Sequence, residues 1–157
     1  MSPVTITPVS TPQDLAEVRR LFEEYASSIG FSLCFQGFDR ELAELPGAYA
    51  PPEGRLLIAR VEGDLAGCIA LRPLGEGVCE MKRLYVRPGF LGRGIGRQLV
   101  ETIIEEARTA GYDTMRLDTV PSMTAAIGLY QSLGFRDIEP YRENPIPGAR
   151  YLELRLA

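Results

Sequence analysis

The sequence predicts an α/β fold: a mixed α+β sheet made of an antiparallel meander followed by a parallel strand-helix-strand crossover, with helices on both faces. Three observations carry that expectation. Strand-like runs follow one another across residues 55–86, the first two joined at Glu62-Gly63-Asp64, a hairpin signal. Ile95, Leu99, Ile103 and Ala107 then recur every four residues, with Glu101, Glu105, Glu106 and Arg108 on the other side and Gly111 at the stop, which is an amphipathic helix. TMRLDTV at 114–120 returns as a strand, and strand, helix, strand in that order implies a parallel pair.

The remaining elements follow in order. VTITPV is a short first strand, and Ser10 or Thr11 caps a helix that has Pro12 in its first turn and runs to Gly30. Leu15, Val18, Leu21, Phe22 and Tyr25 share one face of that helix. Asp39 is the expected cap of a second short helix, RELAEL, stopped by Pro46-Gly47. After the crossover, TAAIGLYQSLG is a helix ending at Gly134, and FRDIE and ARYLELRL are two closing strands. At 157 residues this is one domain's worth of chain.

A net charge of -4 argues against nucleic acid and favours a cationic or neutral small partner. The first fifteen residues lack a basic segment followed by an apolar one, and no apolar run reaches about 18 residues, so a soluble, cytoplasmic protein without membrane contact is expected. Cys34, Cys68 and Cys79 are widely spaced and odd in number, which predicts reduced, mostly buried thiols. Histidine is absent altogether. Acid-base chemistry must therefore use Glu, Asp, Tyr, Cys, Lys, water or backbone, and the commonest metal ligand is missing.

Gly89, Gly92, Gly94 and Gly96 crowd one strand-to-helix junction. Glycines before a helix N-terminus let backbone N–H groups approach an anion, although a plain glycine turn reads the same way. A P-loop would need Lys and Ser or Thr after the last glycine, and a dinucleotide fingerprint needs a different final spacing. Neither fits. In the preceding strand, VCEMKRLYV, Met81 and Leu84 are three apart, so strict alternation puts them on opposite faces. Either a bulge near Lys82-Arg83 restores them to one face, or the strand is covered on both sides.

The run LYVRPGFLGRGIG, the order of elements over nearly the whole chain, and AAIGLYQSLGF together resemble the GNAT superfamily of acyl-CoA N-acyltransferases. Gly94-Ile95-Gly96 fill the glycine positions of its phosphate-binding loop, while Leu91 stands where Arg or Gln is usual. The resemblance implies an acetyl-CoA cosubstrate, no metal, and direct transfer to an amine. It places the donor against Leu84, Tyr85 and Val86, through strand backbone, and against Leu91, Gly92, Arg93, Gly94, Ile95, Gly96 and Arg97. Arg93 and Arg97 are either phosphate contacts or solvated surface residues.

By the same resemblance Tyr130 is the acid that protonates the departing thiolate, where the bare sequence allows a core tyrosine as well. Glu80 matches a glutamate that takes the amine proton, its alternative being an ion pair with Lys82 or an arginine. Cys79, with no histidine or cationic helper, reads as an inert thiol. Family acceptor pockets imply Phe31, Phe35 and Gln36 on one side, and Asp118, Tyr141 and Asn144 with Arg142 on the other. The expected partner is a small-molecule or peptide amine, with a homodimer also common in the family. The rival reading is a noncatalytic acyl-CoA sensor of the same fold.

Overall fold

In the computed structural model, which describes residues 3–28, 37–120, 123–142, 144 and 146–156, four strands pair antiparallel in succession: β1 (Val4–Pro8), β2 (Arg55–Val61), β3 (Asp64–Gly75) and β4 (Val78–Val86). The β2-β3 connection is two residues long, with Glu62 and Gly63 both at positive φ (52° and 85°), the turn whose twist matches the strands it joins. Helix α3 (Ile95–Thr109) then carries the chain across, so that β5 (Thr114–Thr119) lies parallel to β4. The last strand, β7 (Arg150–Arg155), inserts between β5 and the two-residue β6 (Arg136–Asp137), completing a seven-stranded sheet of order β1-β2-β3-β4-β5-β7-β6.

Two apolar layers enclose this sheet. Helices α1 (Pro12–Ser28) and α2 (Phe38–Glu44) cover one face, packing Val18, Leu21, Phe22 and Phe38 on Ile58, Cys68 and Ala70. Helices α3 and α4 (Thr124–Ser132) cover the other, packing Leu99, Ile103 and Tyr130 on Leu57, Met81, Met115 and Leu117. Each large apolar side chain buried this way contributes about 1.5 to 3 kcal/mol. The predicted sheet, crossover and two-faced covering are all present.

The start of α1 follows its sequence signal: Thr11 Oγ1 accepts the Asp14 N–H at 3.0 Å, and the Asp14 carboxylate reaches back to the Ser10 N–H at 3.0 Å. The expected cap of α2 is displaced. Gly37, in the left-handed region at φ 69°, is the cap, and Asp39 falls inside the first turn, where its charge still suits the helix dipole. The reason is that Phe38 must enter the helix to bury its ring, which moves the boundary two residues upstream.

The feature that positions the site is a bulge in β4. Ala70 of β3 faces Lys82 and Cys68 faces Tyr85, so Arg83 and Leu84 together oppose the single residue Ile69. Arg83 takes φ 60° to make that possible. As a result Met81, Leu84 and Val86 all pack toward α3, while Glu80, Lys82 and Tyr85 face the α1 and α2 side. The parallel pairing with β5 ends before the bulge, at Glu80 and Arg116. Beyond that rung the two strands diverge, and the β5-facing edge of β4 has no strand partner among the described residues.

Candidate active site

The divergence opens a groove of about 460 Å³ between the second half of β4, the start of α3 and the first turns of α4. Leu84, Tyr85 and Val86 form one wall, with Leu91, Gly92, Gly94, Ile95 and Gly96 at its end and Met123, Ala126 and Leu129 opposite. The first intrahelical bond of α3 runs from Gln98 N–H to Gly94 C=O, which leaves the N–H groups of Ile95, Gly96 and Arg97 unpaired within the helix. No acidic side chain sits in that first turn. The groove therefore ends at a helix N-terminus suited to phosphate, and Gly94, at φ 75°, gives the cap its left-handed backbone.

The two arginines of this junction stay outside the groove. Arg93 lies over the Phe90 ring at 5.4 Å, and Arg97 pairs with Glu101 and donates to Ser132 Oγ. Leu91 is 65% exposed at the groove edge, so it offers an apolar surface where the family pattern has a hydrogen-bonding side chain.

At its inner end the groove meets a smaller cavity, and Tyr25, Leu84 and Met123 line both. Lys82, Arg83, Asp118, Thr119 and Tyr130 are the polar residues that, with Met81 and Leu117, complete that inner cavity. Tyr130 is held there by the end of its helix: Gly134, at φ 102°, lets the chain reverse so that Phe135 N–H bonds the Tyr130 carbonyl and the Phe135 ring packs 5.7 Å from the Tyr130 ring. Burial pushes the phenol up from its usual value, so it stays protonated and able to donate.

Glu80 is fully buried and saturated. Arg72 donates to Oε1 through Nε at 2.8 Å and Nη2 at 2.7 Å, while Tyr141 donates to Oε2 at 2.7 Å and Arg142 pairs with the same oxygen. Burial works to raise this carboxyl, but Lys82, Arg72, the Tyr141 hydroxyl and Arg142 together hold it below the usual range. A carboxylate so occupied is a poor proton acceptor, and its geometry is that of a counter-ion. The surrounding register explains how it is assembled: Arg72, Glu80, Arg116 and Glu153 stand opposite one another on four adjacent strands, alternating in sign across the sheet. Arg116 closes the row by pairing with Glu153 at 2.8 Å.

Of the predicted acceptor residues, Asp118, Tyr141 and Asn144 do come together, with Asn144 Nδ2 donating to Asp118 Oδ2 at 3.3 Å and Tyr141 on Glu80. Phe31, Phe35, Gln36 and Cys34 lie outside the described residues. Cys68 and Cys79 are buried free thiols, both pushed up by burial, Cys79 to about 12, which removes them as nucleophiles.

Sequence reasoning named Lys82 only as an ion-pair partner for Glu80. The lysine side chain is 3% exposed, Nζ has no hydrogen-bond partner among the described residues, and the nearest carboxylate oxygen, on Glu80, is 3.9 Å away. Burial draws its ammonium down to about 8, against the opposing pull of Glu80. Between that value and its ordinary 10.5 the folded chain binds fewer protons here than the unfolded chain, so this group's destabilisation is complete below about pH 8 and fades as pH rises. Lys82→Met is expected to be more stable than the parent at pH 7, by about 1 to 3 kcal/mol. Denaturant titrations should show that advantage shrinking from pH 8 to 10.5; a constant gap would mean that Lys82 is not held as a costly ammonium.

The groove starts at unpaired helix N–H groups, follows an open strand edge and ends at a protonated phenol, a shape suited to a long ligand with an anionic end. Residues 15–135 match the Acetyltransferase (GNAT) family. An uncharacterized N-acetyltransferase of Schizosaccharomyces pombe is 44% identical over 99% of this chain and 97% of its own length. A GNAT-family acetyltransferase of Staphylococcus aureus Mu50 superposes with a TM-score of 0.81 at 18% identity, covering 99% of this chain and 100% of its own. The Salmonella typhimurium protein yncA, solved with its cofactor acetyl-CoA, superposes at 0.72 with 21% identity, over 98% of this chain and 94% of its own. The chain belongs to the GNAT family of N-acetyltransferases. It is an acyltransferase, and acetyl-CoA is the family's donor.

Proposed function

We propose that the protein moves the acetyl group of acetyl-CoA directly to a primary amine of a small molecule or peptide, without metal. The observation that carries this reading is the continuous path from the N-terminus of α3, along the unpaired edge of β4, to the Tyr130 hydroxyl. The Ile95, Gly96 and Arg97 N–H groups would hold the pyrophosphate, and the backbone of Leu84 and Val86 would hold the pantetheine arm as an added strand. The amine nitrogen then bonds to the thioester carbonyl carbon, the C–S bond breaks, the thiolate takes the Tyr130 proton, and the proton shed by the new amide nitrogen restores the phenol through water. Because Glu80 is already saturated, the proton of the acceptor ammonium leaves to water, and Glu80 serves as the buried counter-ion that fixes Arg72, Lys82 and Arg142.

The test is incubation with acetyl-CoA and a mixed panel of amines, following free thiol and acetylated products by mass. Matched release of thiol and acetylated amine is the expected result; acetyl-CoA left intact with every amine would sink the reading. Gly96→Val is the control for the donor site. A Cβ at Gly96 would stand 3.8 Å from Val86 Cγ2, so the fold accommodates it, but the branched side chain would cover the helix N-terminus. It is expected to abolish thermal stabilisation by acetyl-CoA while leaving the unliganded melting temperature within a few degrees. Gly94→Val is the less informative change, since positive φ alone would strain it.

A further inference from the structure

On the acetyltransfer reading, we infer that the acceptor is an amino acid or similar amine carrying a carboxylate, and that Lys82 Nζ is the seat of that carboxylate. Lys82, Arg83 and Asp118 line the inner cavity, and beside it Glu80 gathers Arg72, Lys82 and Arg142. The other nearby cations are already matched, Arg83 by Glu41 and Arg116 by Glu153. Among the described residues, Arg72, Lys82 and Arg142 against Glu80 and Asp118 leave one positive charge over. The geometry identifies which one: Arg72 and Arg142 occupy the two oxygens of Glu80, and Lys82 is left at 3.9 Å from one of them with no hydrogen bond among the described residues.

A buried ammonium without a hydrogen-bond partner is costly even beside a shared counter-ion, and a fold keeps one where a ligand supplies the bond. The cavity it lines holds about 40 Å³, room for a carboxylate-sized group rather than a whole substrate. Asp118 lines the same cavity, so a carboxylate seated at Lys82 brings the ammonium of its own molecule toward an acidic wall. The net charge of the chain pointed toward a cationic or neutral partner. That total is set by carboxylates spread over the surface, and the buried surroundings of the acceptor carry the opposite bias.

The probes are L-amino acids and ω-amino acids, each paired with its own carboxamide. The carboxylates are expected to show KM values at least about tenfold below their amides, and to raise the melting temperature where the amides do not. In Lys82→Met the preference should vanish through KM, with kcat changed less than about threefold, and Lys82→Arg should restore it. Equal KM values and equal stabilisation for acids and amides in the parent would overturn the inference, and would assign the cavity to a trapped water. A fall in kcat with KM unchanged in Lys82→Met would overturn it too, by assigning Lys82 to proton removal. Melting shifts keep the two readings separable. Carboxylates that stabilise the parent but not Lys82→Met support the subsite even where no amine is acetylated, a result that would fell only the acetyltransfer reading.

Discussion

Tyr130→Phe is expected to lower turnover by about 10²- to 10⁴-fold while leaving acetyl-CoA affinity nearly unchanged. The substitution keeps the ring that packs on Phe135 and deletes only the hydroxyl at the cavity. That hydroxyl is pushed up by burial and remains protonated throughout the neutral range, which is the state an acid needs. Acetyl-CoA titration by calorimetry and turnover on one preparation separate the roles. A core tyrosine without a chemical role would instead lose about 1 kcal/mol of stability and keep near-normal turnover. A drop below about threefold would show that the thiolate departs without an acid.

Glu80→Gln is expected to be the most destabilising single substitution in the site, by about 3 to 5 kcal/mol, because it leaves Arg72, Lys82 and Arg142 gathered around a neutral amide. For a domain of this length that is a fall of roughly 10 °C or more in melting temperature. The sign of the pH dependence follows from its lowered carboxyl: the stability it contributes is complete above the unfolded carboxylate value and is lost as pH falls toward the lower folded one. The gap between parent and variant should therefore be flat at neutral pH and close in acid. In the folded fraction, rate against pH should run parallel to the parent, as befits a counter-ion. A deficit that shrinks at high pH would instead restore Glu80 as the base.

The fold was legible wherever a pattern is local. The four-residue period from Ile95 to Ala107 is α3, the Glu62-Gly63 signal is the hairpin, and the odd spacing of Met81 and Leu84 is the bulge, because parity can be counted along one strand. The cap of α2 was misplaced because Asp is a frequent cap, whereas Gly37 serves here through its backbone and leaves no side-chain signal. The groove at the start of α3 was legible through its glycines, apart from Arg93 and Arg97, whose partners Phe90, Glu101 and Ser132 are settled by helix packing. The charged cluster beside the cavity was the least legible part. Its row Arg72, Glu80, Arg116 and Glu153 draws on four strands far apart in the chain, and nothing in VCEMKRLYV says that Arg72 and Arg142 would claim the oxygens of Glu80 and leave Lys82 without a hydrogen bond. A lysine two residues from a glutamate on one strand reads as an ordinary pair until the competitors are known.

The bulge in β4 also sets the rules by which this strand tolerates change. Before it, odd positions such as Cys79 and Met81 face α3 and even positions face α1 and α2; after it the parity is reversed, with Leu84 and Val86 facing α3 and Tyr85 opposite. In sequence terms β4 is two short strands in opposite phase, spliced at Arg83. Loss of that one residue would merge the phases into a single regular alternation, with Leu84 and Val86 still toward α3 and Tyr85 opposite, but without the extra residue that bends the strand away from β5, while the rungs at Val78, Cys79 and Glu80 kept their partners. A chain altered this way would retain its upstream sheet and lose the groove, so the splice, one residue long, separates a plain sheet from one with a site.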